Sequence, residues 1–178
     1  MKGRLPHASM FMLEDSSATL SPDNILISIP APIGVLVADD NDFGRMSLVS
    51  MLNREPEIMV LGEAATGVDT IEAAQALGPD IVVMDMSLPI FYGIVVVERI
   101  ATMKRAPKLL IISHVEEEAF IQDCMRAGAQ GYLLKDSVFA ELTQAIRVIY
   151  DGGHFFSPRI ARMIVGFYLK DVVPASQS

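Results

Sequence analysis

Short apolar runs that stop on a polar residue constrain this chain more than any other feature. The runs are Ile33–Ala38, 80–84, 108–112 and 130–134, and the residues that follow them are Asp39 with Asp40, Asp85, Ser113 and Lys135. Each run is rich in Val, Ile or Leu and too apolar to alternate, which is the pattern of a strand buried on both faces, as in a parallel sheet. Parallel strands share one carboxyl edge, so three acids, a hydroxyl and an amine converge although they are far apart in sequence. Ligands of open α/β sheets bind at that edge, near the switch in strand order.

Helical patterns fill the spaces between the runs. A helix is expected near 42–53, with Phe43, Met46, Leu48, Met51 and Leu52 turned inward wholly or in part. Strand 58–62 precedes a helix at 68–77 that Gly78 and Pro79 stop, and strand 81–84 precedes a helix at 94–103. Strand 109–112 precedes a helix at 116–127 that Gly128 terminates. Strand 131–134 precedes a helix at 138–150, with Val138, Leu142, Ala145, Ile146 and Ile149 on one face. Five β/α units with short connections predict an α/β sandwich around a parallel sheet.

A sixth helix is expected over 157–170. Ser157 suits its N-cap and Pro158 its first turn. Ile160, Met163, Ile164, Phe167 and Tyr168 form one apolar stripe. The five-unit core is complete without it, so the stripe must dock on the core, on another chain or on a further segment. Residues 1–32 differ in character: they carry prolines at 6, 22, 30 and 32 and read as a poorly ordered arm, with at most a short strand at 25–29.

Composition excludes several classes. A chain of 178 residues with 51% hydrophobic and 20% charged residues is one soluble globular domain with extensions. Its net charge of −8 argues against holding nucleic acid by broad phosphate neutralisation. The single cysteine, Cys124, makes no internal disulfide and suits a reducing compartment. No apolar run approaches the roughly 18 residues of a membrane span. Lys2 and Arg4 precede only a brief apolar patch that Glu14 and Asp15 cut off, so no signal peptide is expected. A cytoplasmic location without a membrane partner follows as the expectation.

The convergent edge has a definite chemistry. Asp39, Asp40 and Asp85 repel one another, and without a cation at least one tends to hold its proton. A hard divalent ion removes that cost, and Mg²⁺ suits a shallow carboxylate site that adds a phosphate oxygen. Ser87, Pro89 and Gly93 give Asp85 a turn that exposes its side chain. A carboxylate is a nucleophile toward phosphorus, and phosphoryl transfer needs positioning and charge neutralisation above all. Lys135 supplies a mobile point charge and Ser113 a hydroxyl donor.

From residue 33 to about residue 150 the chain resembles the receiver domain of bacterial two-component response regulators. The resemblance rests on Asp39-Asp40, on Asp85 with Pro89 and Gly93 after it, on Ser113 ending a strand, and on Lys135 in Gly-Tyr-Leu-Leu-Lys-Asp. Val-Leu-Val-Ala-Asp-Asp-Asn, Val-Leu-Gly-Glu-Ala-Ala-Thr-Gly and Gly-Gly-His-Phe-Phe-Ser-Pro are similar to the NarL/FixJ group within that family. The resemblance implies a flavodoxin-like (CheY-like) three-layer α/β sandwich with a five-stranded parallel sheet of order 2-1-3-4-5. The receiver would occupy 33–152, and 153–178 would be a linker helix and tail. It makes Asp85 the phosphoacceptor. Asp40, Asp85 and the Ser87 carbonyl become Mg²⁺ ligands, with Asp39 acting through water. Ser113 matches the switch hydroxyl, Lys135 the phosphate-pairing lysine, and Tyr132 the switch aromatic that rotates into space Ser113 vacates. The implied partners are a sensor histidine kinase, a second copy on phosphorylation, and DNA only through a LuxR-type helix-turn-helix that would follow this segment. Such a chain is no enzyme in the ordinary sense; it assists its own phosphoryl transfer and dephosphorylation. Three departures stand out: His114 follows Ser113, Ile90-Phe91-Tyr92 makes the loop after Asp85 bulky, and the N-terminal arm is long.

Other classes remain open at this stage. A stand-alone receiver would act through protein contacts without DNA binding, phosphorylated or not. An aspartyl-phosphate phosphatase would use Asp39-Asp40 at the end of the first strand, but this chain lacks the Asp-x-Asp spacing and a substrate cap.

Overall fold

A computed structural model describes residues 31–88 and 93–172, with the backbone alone over 167–172. Residues 1–30 of the arm expected over 1–32, with its short strand at 25–29, lie outside the described residues, as do Pro89, the bulky residues 90–92 and the side chains of Phe167 and Tyr168.

Strands and helices alternate as β1 (Ile33–Ala38), α1 (Asp42–Leu52), β2 (Ile58–Ala64), α2 (Gly67–Leu77), β3 (Ile81–Asp85), α3 (Gly93–Ala101), β4 (Lys108–Ser113), α4 (Glu118–Ala127), β5 (Gly131–Leu134), α5 (Val138–Tyr150), β6 (Phe155–Phe156) and α6 (Pro158–Val172). The strands form one parallel sheet in the order β2-β1-β3-β4-β5-β6. Successive residues of a strand point to opposite faces, and here both faces are covered, which is why the runs carry no alternation. Val35, Val37, Ile81, Val83, Leu110 and Ile112 pack with α1 and α5 through Leu48, Leu52, Leu142 and Ile146. Leu36, Val82, Met84, Leu109, Ile111 and Tyr132 pack on the other face with Ala74, Val97, Ile100 and Ile121 of α2, α3 and α4.

The sheet has six strands, not the expected five. After α5, Gly152 takes a positive φ of 95°, a conformation that favours glycine, and turns the chain back along β5. Phe155 then pairs with Gly131 and Phe156 with Tyr132. Two residues carry no readable period, so the sequence pattern alone left them in a linker. The sixth helix docks on the core: Ile160 is fully buried, and Met163 and Ile164 pack partly buried beside it on the α4 face. Burying one such isoleucine contributes about 1.5–3 kcal/mol.

Helix α1 corrects another expectation. Phe43 and Met46 are 81% and 65% exposed rather than inward. The stripe facing the sheet runs through Arg45, Leu48, Val49 and Leu52, at i, i+3, i+4 and i+7. Leu48 and Leu52 are buried, with Val49 and Met51 partly so. Helix α4 begins at Glu118, two residues later than the expected 116, leaving Glu116 in the loop after β4.

Gly131 marks the tightest approach of β5 to its neighbours. A Cβ there would lie 2.6 Å from Ile149 Cδ1, 2.8 Å from Leu110 Cδ1 and 2.9 Å from the Phe155 carbonyl oxygen. The side-chain ends have some freedom to shift, but the β6 backbone moves only by loosening its pairing. Gly131→Ala is therefore expected to destabilise the chain by about 1–3 kcal/mol, measured by urea unfolding, with faster amide exchange at Phe155 and Ser157. An unchanged midpoint would contradict the close packing of β6.

Candidate functional site

The register of the strands assembles the site. Ala38 of β1 pairs with Met84 of β3, so Asp39 and Asp85 each stand one step along from a matched pair. Asp85 pairs with Ile112 of β4, and Ser113 pairs with Leu134 of β5, which places Ser113 and Lys135 successively further along the same edge. The chain leaves β1 between β2 and β3, the point where strand order reverses, and the acids sit there.

Asp39, Asp40 and Asp85 each offer a carboxylate oxygen, and these three atoms lie within 4.8 Å of one another. Asp39 and Asp85 are buried, while Asp40 opens to solvent; the turn after Asp85 does not expose it as expected, because its carboxylate is capped by Ser87 and Lys135. The Asn41 N–H donates to Asp39 Oδ1 at 2.8 Å. Burial nevertheless raises the Asp39 carboxyl above its ordinary value, with the Asp85 charge adding to the rise and the Asn41 hydrogen bond opposing it. Three carboxylates face one ammonium: Lys135 Nζ contacts Asp85 Oδ2 and stands 4.0 Å from Asp39 Oδ2. The donor set is all hard oxygen, clustered, and open on the Asp40 side. It fits a divalent cation of the Mg²⁺ type that retains waters.

Ser87 meets Asp85 through two groups. Its N–H donates to Oδ1 at 3.1 Å and its hydroxyl to Oδ2 at 2.7 Å, with Asp40 Oδ1 3.2 Å from the same hydroxyl. The sequence reading assigned Ser87 a carbonyl role and missed the side chain.

Ser113 is buried, and its hydroxyl accepts the Val115 N–H at 3.0 Å. Its carbonyl accepts the Lys135 N–H at 3.0 Å, so the two strand ends are joined by backbone. Tyr132 lies wholly inside, with its hydroxyl donating to the Val115 carbonyl at 2.7 Å and burial pushing the phenol up to about 12. His114, named as a departure, is exposed.

Arg45 is the residue the sequence reading overlooked. It donates to the Asp39 carbonyl at 2.7 Å, to Asp42 at 2.5 Å and to Glu63 at 3.1 Å. It thereby fixes the backbone of the first acid from α1. The signal was its place three and four residues before Leu48 and Val49, on the inward stripe where Phe43 and Met46 had drawn attention instead.

Comparisons with known proteins agree with this geometry. The response regulator receiver domain model matches residues 35–147. Response regulator GacA of Pseudomonas aeruginosa is 34% identical over 74% of this chain and 62% of its own length. The transcriptional regulatory protein LiaR of Bacillus subtilis is 32% identical over 75% of this chain and 62% of its own. The chain thus spans less than two thirds of the length of these relatives. A LuxR-family two-component response regulator from Aurantimonas sp. SI85-9A1 superposes with a TM-score of 0.74 at 33% identity, covering 79% of this chain and all of that one. The receiver domain of the response regulator NarL from Mycobacterium tuberculosis superposes at 0.66 and 30% identity, covering 69% of this chain and 99% of that one. This chain belongs to the response-regulator receiver family, in its NarL/FixJ group.

Proposed function

We propose that Asp85 accepts a phosphoryl group from the phosphohistidine of a sensor histidine kinase, and that the chain acts as a switch rather than as an enzyme with an external substrate. The observation that carries this reading is the convergence of Asp85 with Asp39, Asp40 and Lys135 at the β1/β3 edge. An Asp85 carboxylate oxygen forms a bond to phosphorus as the bond from phosphorus to the imidazole nitrogen breaks. The electron pair leaves with the imidazole, and an acyl phosphate remains. Mg²⁺, held by Asp40, Asp85 and the Ser87 carbonyl and reached by Asp39 through water, would supply the charge neutralisation that one lysine leaves incomplete.

The chain's own groups do the rest. The Ser87 N–H orients Asp85 Oδ1, while the Ser87 hydroxyl and the Lys135 ammonium meet Oδ2. Lys135 follows the phosphoryl oxygens as a point charge, and the Ser113 hydroxyl donates to them. Tyr132 serves by holding the Val115 carbonyl, and with it the loop after Ser113, in the inner position. Output is a second copy joined on phosphorylation and control of transcription through a LuxR-type helix-turn-helix beyond this segment, in the cytoplasm. Among the described residues no helix is long and apolar enough to cross a membrane. With a net charge of −8, this segment leaves the DNA to such a domain.

Two outcomes test the reading. Incubation with Mg²⁺ and a small acyl phosphate is expected to add one phosphoryl group to the wild-type chain by intact mass and none to Asp85→Asn. Labelling of the variant at wild-type stoichiometry would sink the assignment. The second concerns Asp39. Its folded carboxyl ionises above the unfolded value of 3.8, so the folded chain keeps a proton that the unfolded chain has lost. Stability therefore falls as pH rises from the unfolded value through the folded one, and the deficit persists at neutral pH. Asp39→Asn is expected to raise the metal-free melting temperature at pH 7 by several degrees and to shrink the further rise that Mg²⁺ gives the wild type. A variant that melts lower than the wild type without metal contradicts the account of the acid cluster.

A further inference from the structure

The first turn of α6 is fastened to both arms of the acid site. On the Lys135 arm, the Ser157 hydroxyl accepts the Leu134 N–H at 3.1 Å, one residue before Lys135. The same hydroxyl lies 2.9 Å from Ser137 Oγ and donates to Glu141 Oε2 at 2.5 Å, while the Ser157 N–H reaches the Tyr132 carbonyl at 3.1 Å. Ser157 is 1% exposed. Its hydroxyl is turned into the β5–α5 loop and not onto the N-terminus of its own helix, where the sequence predicted a cap. On the Ser113 arm, Arg159 Nε pairs with Glu116 at 2.7 Å, in the loop that Ser113 and Tyr132 hold through Val115. Ile160, between these ties and the rest of the helix, is fully buried.

We propose that the first turn of α6 is a clasp that couples phosphoryl binding at Asp85 to the position of the chain leaving the receiver, with Ser157 and Arg159 as positioning residues. The proposal rests on the phosphoacceptor reading of Asp85. The structure pairs a seated clasp with closed arms: Lys135 lies on Asp85, Ser113 is buried, and Tyr132 is inside. Groups that hold the arms closed favour a seated α6, and a seated α6 favours closed arms, because coupling between two sites is reciprocal. A phosphoryl group bridging Ser113 and Lys135 therefore tightens α6, and loosening α6 weakens the hold on the phosphoryl group. The arrangement needs no movement of the sheet, only two loops and one helical turn that share hydrogen bonds.

The test uses the full chain with Mg²⁺ and beryllofluoride as the phosphoryl mimic. In the wild type, amide exchange over 160–164 is expected to slow when beryllofluoride binds. Ser157→Ala, which leaves the Leu134 N–H without its acceptor, is expected to weaken beryllofluoride binding about fivefold or more. Arg159→Ala, which breaks a partly exposed ion pair, is expected to weaken it about two- to fivefold. Exchanging the charges, Arg159→Glu with Glu116→Arg, is expected to restore affinity relative to Arg159→Glu alone, a rescue that general loss of stability does not produce. Wild-type affinity in both alanine variants overturns the coupling. So does exchange over 160–164 that ignores beryllofluoride in a wild-type chain that binds it. A wild-type chain that takes up neither beryllofluoride nor a phosphoryl group fails the phosphoacceptor reading itself, and the clasp with it.

Discussion

Mutual repulsion among Asp39, Asp40 and Asp85 is the constraint on which the rest of the molecule depends. Three carboxylate oxygens lie within 4.8 Å, Asp39 and Asp85 carried there by buried strand ends and Asp40 joined to Asp85 through the Ser87 hydroxyl. The strand ends are set by burial on both faces and by the register of β1 against β3 and β3 against β4. Dense packing resists displacement of even a fraction of an ångström. The sheet therefore holds an unfavourable charge arrangement that Lys135 offsets in part, on a donor set that fits a divalent cation. Arg45 contributes from below by holding the Asp39 carbonyl, and Ser87 from the side by donating twice to Asp85.

The parts legible in the sequence are those that hydrophobic burial dictates. Runs such as Val35–Val37 and Ile81–Met84 leave a parallel strand little competition, and the polar residue after each run marks the edge. The parts not legible depend on which direction a helix faces or on contacts between distant segments. In α1, Phe43 and Met46 look like core by chemistry, yet the stripe passes through Arg45, whose stem lies along the sheet while its guanidinium reaches three acceptors. Hydropathy ranks arginine last for such a place, and only the spacing to Leu48 and Val49 favours it. Strand β6 needs two residues and a turn at Gly152, too little for any periodic signal. Ser157 precedes Pro158 and so looks like a cap; its partners come from β5 and α5, which local sequence does not reveal.

The two arms of the site differ in how they are held. The Ser113 arm is held by a neutral network: its hydroxyl takes the Val115 N–H, whose carbonyl takes the Tyr132 hydroxyl. The Lys135 arm is held by charge, with the ammonium on Asp85 and the carboxylate of Glu141 behind Ser137 and Ser157. Salt screens the second more than the first wherever solvent reaches it. The backbone bond from Lys135 N–H to the Ser113 carbonyl ties the two together, so neither arm shifts alone.

Strand β6 also sets the mechanical character of the chain. It is a two-residue strand paired on one side only, with the Phe155 N–H on the Gln130 carbonyl and the Ser157 N–H on the Tyr132 carbonyl at its two ends. The described strands and helices from β1 to α5 pack across both faces of the sheet. Strands β1, β3, β4 and β5 are paired on both sides, so β6 has fewer backbone bonds to lose than any of them when the sheet opens locally. Local opening of the sheet is then expected to begin at β6, with the turn at Gly152 as the place where the chain parts from α5.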